Sequence, residues 1–233
     1  VTNPDGSQID EILGAGSAGP GKTQALLHEP FAQILVEHQR CSDLMHPHPL
    51  KWGDSTGHAL FMRRELAMMS QTIERAHKSF TPLDPQLKWS EKHLTFTFAS
   101  GYKYKFGHCK DSGDWLRYYS DEYTIILWDE LIQFEQEQYQ QINSRLRSSD
   151  PVLRTMLKVR ACSNPVRRSD SNTQFAGSDP NWVRKYFVDP APQGKVIIRK
   201  PLKMSSGKTE YHTRMYLPAR LDDNPNMEFR QDY

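Results

Sequence analysis

Two short stretches carry residue types whose spacing could do chemistry on a polyphosphate. Residues 16–23 read GSAGPGKT and match GxxxxGK[ST]. Gly16, Ser17, Ala18, Gly19, Pro20 and Gly21 would form a cradle, because its glycines let backbone N–H groups turn inward around phosphates. The helix expected to start here adds the positive end of its dipole to the same spot. Lys22 supplies a point charge for the β and γ phosphates, and Thr23 offers a hydroxyl to Mg2+. The plain alternative is a glycine-rich turn that binds nothing; the Lys-Thr pair between a strand pattern and a helix pattern argues against it.

A cradle by itself means nucleotide, not hydrolysis. Residues 125–130, IILWDE, form an apolar strand pattern ending in two carboxylates, the Walker B arrangement. Such a strand delivers acids to the carboxyl edge of a parallel sheet, where ligands bind. Asp129 would hold the magnesium shell. Glu130 would orient and deprotonate an attacking water, which needs a carboxylate beside the metal ligand rather than on it. A surface acidic pair ending a strand is the bland reading, and the cradle about a hundred residues upstream weighs against it. The same pair separates this chain from small-molecule kinases, which share the cradle and usually need no water-activating glutamate.

One part is missing. Hydrolysis by P-loop proteins commonly needs a guanidinium at the γ-phosphate, and this cradle has none. Arg117 precedes the carboxylate strand. Arg145 and Arg147 follow it on an expected helix, two residues apart, so they cannot share one helical face. A neighbouring subunit could present one of the three; surface or salt-bridge roles are the alternative.

The elements that must position these residues alternate. Glu11 to Ala15 reads as strand, Gln24 to His38 as helix, Ala59 to Met62 as strand and Arg64 to Phe80 as helix. His93 to Phe98 and Tyr102 to Phe106 read as a hairpin around Ser100-Gly101. Thr124 to Trp128 is a buried strand, Glu135 to Leu146 a helix, and Lys158 to Cys162 a strand that stops at Ser163-Asn164-Pro165. This order predicts an α/β fold, a mainly parallel sheet flanked by helices. Trp182 to Val188 reads as helical, and Lys195 to Leu202 and Tyr211 to Leu217 as strands of a small second element. The expected division is a nucleotide-binding core over 1–178 and a lid or linker over 179–233.

At 233 residues, 37% of them apolar, the chain can bury one sizeable core. No apolar run approaches the ~20 residues of a spanning helix, and no secretory signal is visible, so no membrane is expected and a cytosolic setting is the default. Cys41, Cys109 and Cys162 form no CxxC pair and are expected to be reduced thiols with no shared task. His46, His48 and His58 lack the spacing of metal ligands. The net charge of +2 conceals a division: 145–220 holds 16 Lys and Arg against 5 Asp and Glu, and the remainder 14 against 23. A segment so basic is a candidate footprint for a polyanion, or else a solvated face.

The motifs together resemble the ATPase half of the phage terminase large subunit. Residues 10–27, DEILGAGSAGPGKTQALL, are similar to its opening strand and cradle, and Leu60 to Arg64 to its second strand with trailing arginines. Tyr119 to Arg147, containing TIILWDEL and SRLR, resembles its Walker B segment and the helix behind. Ala161 to Pro165 resembles its coupling motif, which implies that Ser163 and Asn164 sense the γ-phosphate at a strand end. Residues 181–183, 187–189 and 218–225 resemble the segments that follow and close the region. The resemblance implies an additional-strand (ASCE) P-loop NTPase with a small lid subdomain, using ATP and Mg2+ and working as a homo-oligomeric ring. Double-stranded DNA, the portal protein and a small terminase subunit would be its partners, in the host cell cytoplasm at the procapsid. The family usually continues into a nuclease, for which these 233 residues leave no room, so a fragment is implied. A helicase-like nucleic-acid-dependent ATPase and a slow nucleotide-dependent binding switch are the rival readings.

Overall fold

The computed structural model describes residues 2–3, 6–16, 21–42, 57–164, 181–203 and 207–219. Cradle positions 17–20, His46 and His48, the polar stretch 169–179 and the closing residues 220–225 lie outside these. In chain order the main elements are β1 (Glu11–Gly16), α1 (Lys22–His28), α2 (Phe31–Ser42), β2 (His58–Arg63), α3 (Ser70–Phe80), β3 (Lys88–Ser90), β4 (Thr95–Thr97), β5 (Lys103–His108), β6 (Ile125–Trp128) and α4 (Gln136–Asn143). A single helical turn, α5 (Pro151–Arg154), leads to β7 (Lys158–Ser163), then α6 (Asn181–Val183), β8 (Ile197–Lys203) and β9 (Thr209–Ala219).

All nine strands form one sheet in the order β3-β4-β5-β2-β6-β7-β1-β9-β8. In that order the six from β5 to β9 run parallel, and the pairs β3/β4, β4/β5 and β8/β9 are antiparallel. β7 lies between the cradle strand β1 and the carboxylate strand β6, which is the inserted strand that defines the additional-strand P-loop architecture. The hairpin expected around Gly101 is β4/β5, with Phe96 opposite Tyr104 and Gly101 in the left-handed region at φ 87°.

Strand alternation sorts the core onto two faces. Ala59, Phe61, Ile125, Leu127 and Cys162 meet Leu26 and Leu27 of α1, Ile34 of α2, and Ala76 and Phe80 of α3. Leu60, Met62, Ile126 and Trp128 meet Tyr139 and Ile142 of α4 together with Trp182 and Phe187. With both faces covered, β6 is buried at every residue, which is why its sequence is continuously apolar. Each large side chain so buried contributes roughly 1.5–3 kcal/mol of transfer free energy. Trp128 and Trp182 enter the core with their polar atoms satisfied: Trp128 Nε1 donates to Asn143 Oδ1 at 3.0 Å and Trp182 Nε1 to the Phe134 carbonyl at 2.8 Å.

Four expectations need correction. The helix expected over 24–38 is two helices, because Pro30 has no N–H with which to continue α1, and its carbonyl instead accepts the first bond of α2 from Ile34 at 3.0 Å. The helix expected from Arg64 begins as a 3-10 turn at Leu66–Met69 and becomes α-helical only at Ser70. The helix expected to reach Leu146 ends at Asn143, since Tyr123 captures the following backbone: its N–H donates to the Arg145 carbonyl at 3.0 Å and its carbonyl accepts from Arg147 at 2.9 Å. The two strands assigned to a small second element instead extend the main sheet, β9 pairing in parallel with β1 from Glu11↔Arg214 to Gly16↔Ala219.

Candidate active site

β1, β7 and β6 end side by side, and their carboxyl ends carry the candidate residues. Gly21, in the left-handed region at φ 77°, caps α1, so Lys22 and Thr23 open that helix directly after the cradle. Gly16 is required for a different reason. A Cβ there would lie 1.6 Å from the Ala219 carbonyl oxygen, so only glycine lets β9 approach this closely.

On β6, Ile125 and Leu127 point to the α1 face, and alternation sends Asp129 the same way, toward Thr23. Asp129 is fully buried. Its Oδ1 accepts from the Thr23 hydroxyl at 3.1 Å and from the Cys162 thiol at 2.9 Å. Its Oδ2 has no aligned hydrogen-bond donor, although Arg63 Nε stands 2.9 Å away as a counter-ion. A hydroxyl and a hard carboxylate converging on one point, with one carboxylate oxygen lacking a hydrogen bond, fit a magnesium shell. Among the described residues no cluster of three or more His, Cys, Asp or Glu could hold a metal by itself.

Glu130 takes the left-handed conformation at φ 56° and ψ 53°, which is strained for a residue with a Cβ. The turn lifts its carboxylate off the strand toward Asn164, whose Nδ2 is 3.5 Å from Glu130 Oε2. Burial pushes the Glu130 carboxyl above its usual range and the neighbouring Asp129 adds to this, against the opposing pull of Lys22, Arg63 and the Asn164 backbone N–H. A carboxylate with a raised pKa is a better proton acceptor. Asn164 also accepts from Lys22 Nζ at 3.2 Å through Oδ1, and Lys22 donates to the Gly16 carbonyl at 3.2 Å. Burial lowers the Lys22 pKa, while Cys162, Glu130 and Asp129 act to raise it.

The structure therefore brings together Gly16, Gly21, Lys22, Thr23, Asp129, Glu130 and Asn164. Ser163 stands beside them but accepts from the Ile132 N–H at 3.3 Å, holding the turn after Glu130. Ser17, Ala18, Gly19 and Pro20 lie outside the described residues. The three candidate arginines are engaged elsewhere. Arg117 pairs with Asp114 at 2.8 Å and contacts His108; Arg145 lies 4.3 Å over the Tyr119 ring and donates to the Tyr119 carbonyl; Arg147 pairs with Glu122 at 2.9 Å.

Two residues at the site, Arg63 and Cys162, stand in the sequence without a role assigned there. Arg63 reaches Asp129 because β2 is the next strand beyond β6, with Asp129 N–H donating to the Met62 carbonyl at 3.0 Å. Its signal was present as an arginine ending an apolar strand. Cys162 is no idle thiol; it touches Asp129, and its burial pushes its pKa well up, so it stays protonated and donates. His58, by contrast, packs at a tilt against Tyr123 with ring centroids 4.6 Å apart, and burial lowers its pKa to about 4, so it is a neutral, half-buried packing residue.

Strand order and site together define a P-loop NTPase fold of the additional-strand class. No family model matches the sequence, and no curated protein matches it. Solved structures do. The large terminase from a thermophilic bacteriophage matches 97% of this chain at a TM-score of 0.59 and 13% identity. The same phage protein in complex with ATP-gamma-S matches at 0.56 and 13%, again over 97% of this chain. This chain spans 44% and 43% of those two structures, less than half of each. At that identity the shared property is the fold.

Proposed function

We propose that this chain is the ATP-hydrolysing motor domain of a viral large terminase, which powers the movement of double-stranded DNA into a procapsid. The observation that carries the reading is the convergence of Lys22, Thr23, Asp129, Glu130 and Asn164 on one sheet edge, across three neighbouring strands. The phage terminase structure with ATP-gamma-S supports nucleotide as the ligand. In this reading the cradle amides and Lys22 hold the phosphates. Thr23 and Asp129 hold Mg2+, which neutralises phosphate charge when bound. Glu130 accepts a proton from the attacking water, and Asn164, bridging Lys22 and Glu130, senses the γ-phosphate beside Ser163 and passes its loss along β7.

The reading keeps a boundary near 178, with 1–178 carrying the catalytic residues, but strands β8 and β9 join the same sheet, so 179–233 would act as the link toward a nuclease in the full protein rather than as a separate lid. β9 supports a mechanical tie between the two, since it is bonded along β1 up to Gly16. A ring of copies, the portal, a small subunit and the host cytoplasm belong to the same proposal. Among the described residues no helix is long and apolar enough to cross a membrane.

Burial narrows the basic footprint. Lys158 and Arg160 are buried against Glu29, at 2.8 and 3.1 Å, and Arg214 lies 4.2 Å over the Tyr186 ring. Arg199, Lys200 and Lys203 are exposed on the edge strand β8 and make no ion pair among the described residues. The antiparallel β8/β9 ribbon is our candidate DNA-backbone contact. The direct test is ATP turnover with and without double-stranded DNA and procapsids. Stimulation supports the motor, while tight nucleotide binding with no turnover would replace it with a binding switch.

A further inference from the structure

We infer that Arg63 is a stand-in cation for magnesium: it neutralises Asp129 while the metal is absent and must release it when the metal–nucleotide complex binds. The inference rests on the nucleotide reading above and assigns a role to a residue outside the Walker motifs.

Asp129 is fully buried, and a buried carboxylate without a counter-charge is strongly disfavoured. Its two oxygens are used differently. Oδ1 takes both neutral donors, the Thr23 hydroxyl and the Cys162 thiol. Among the described residues Arg63 Nε is the one cation within ion-pair distance of Oδ2, at 2.9 Å and without hydrogen-bond alignment. This is a charge contact lacking the paired, parallel N–H···O geometry that makes an arginine–carboxylate pair strong.

The aligned hydrogen bonds of the guanidinium go elsewhere. Nη1 donates to the Met68 carbonyl and lies 3.5 Å from the Thr72 hydroxyl, so the head group is tethered to the start of α3 whether or not Asp129 is present. The Arg63 side chain keeps 21% of its exposure, whereas that of Asp129 keeps none. A cation tethered by its own scaffold, touching a buried carboxylate oxygen without alignment, holds charge balance and yields readily. Magnesium bound between Thr23 and Asp129 would carry two charges into the same carboxylate, and the two cations would then compete.

The test compares the affinity of a fluorescent ATP analogue in excess Mg2+ with its affinity in EDTA, for the parent chain, R63Q and R63K. If Arg63 competes with the metal, R63Q raises the ratio of the two affinities by roughly tenfold, because the metal no longer has to break an ion pair. R63K keeps a cation and stays near the parental ratio. If Arg63 instead contacts phosphate, R63Q weakens binding in both conditions and the ratio does not rise, which overturns the inference. An unchanged ratio with unchanged affinities overturns it equally.

A second measurement needs no nucleotide. Ligand-free R63Q melts several degrees below the parent, and R63Q/D129N recovers most of that loss, since the uncompensated carboxylate is gone. If R63Q does not fold, recovery in the double variant still identifies the ion pair; failure of both to fold means that Arg63 is merely a scaffold residue, and the inference falls. A parent chain that binds no nucleotide at all would sink the proposed function, whereas the melting comparison would still decide the pairing of Arg63 with Asp129.

Discussion

At the scale of single residues, the two chemical roles separate cleanly. Lys22 donates to Gly16 and Asn164 and would hold phosphate, so Lys22→Ala should weaken nucleotide binding roughly 10- to 100-fold, as expected for a lost charge-assisted hydrogen bond, in a fluorescent-nucleotide titration. Glu130→Gln should keep that affinity and lower kcat by about 10²- to 10⁴-fold, the usual share of a general base. Parental turnover in Glu130→Gln would remove the base. The raised Glu130 pKa gives an independent signature. Its charged form is disfavoured in the folded state, so the penalty is absent below the usual carboxyl range and develops as pH rises through the folded pKa. Glu130→Gln should therefore melt above the parent at neutral pH, with the difference disappearing in acid. Asn164→Ala removes the only side chain that touches both Lys22 and Glu130 among the described hydrogen bonds. More ATP should be consumed per packaged base pair, with nucleotide affinity little changed; an unchanged ratio would reduce Asn164 to a turn residue.

Elements decide where those residues stand. β7 separates β1 from β6 and so opens the space in which Asn164 sits between the cradle and the carboxylates. β9 closes on β1 so tightly that Gly16→Ala has no room: the added methyl must displace the Ala219 backbone, and a loss of about 1–3 kcal/mol is expected in urea unfolding. A parental midpoint would mean that β9 does not hold this register in solution. The ribbon of β8 and β9 carries the electrostatic prediction. Replacing Arg199, Lys200 and Lys203 with glutamine should flatten the slope of log affinity against log salt by about 2 to 3, close to one unit per neutralised phosphate, without changing ATP affinity. An unaltered slope would move the DNA contact to another surface.

Across the whole molecule, the missing arginine becomes a question of assembly. Within one chain Arg117, Arg145 and Arg147 are held by Asp114, Tyr119 and Glu122, and none bonds to Lys22, Asp129 or Glu130. We therefore expect one of them to act across a ring interface. Mixing an arginine-to-alanine chain with Lys22→Ala should restore turnover at interfaces that pair an intact cradle with an intact arginine. Mixtures that assemble and stay inactive would exclude a trans role for the position tested.

What could be read from the sequence was whatever depends on local order. GSAGPGKT, IILWDE and the alternation of strand and helix patterns mark the candidate phosphate cradle, the acid pair and the α/β class, because each rests on residues close along the chain. The inserted strand was legible only as a strand; its place between β1 and β6 is set by long-range pairing. The same holds for β9, expected in a separate element yet bonded to β1 across about two hundred residues of chain. Arg63 and Cys162 reached Asp129 for the same reason, since strand order, not spacing, determines which side chains share a sheet edge. Helix ends differ from the pattern where one residue overrules it, at Pro30 through its absent N–H and at Arg145 and Arg147 through the competing backbone of Tyr123. The candidate residues were named by local sequence, and their neighbourhood was decided by the sheet, because hydrogen bonding between strands brings together residues that no local periodicity relates.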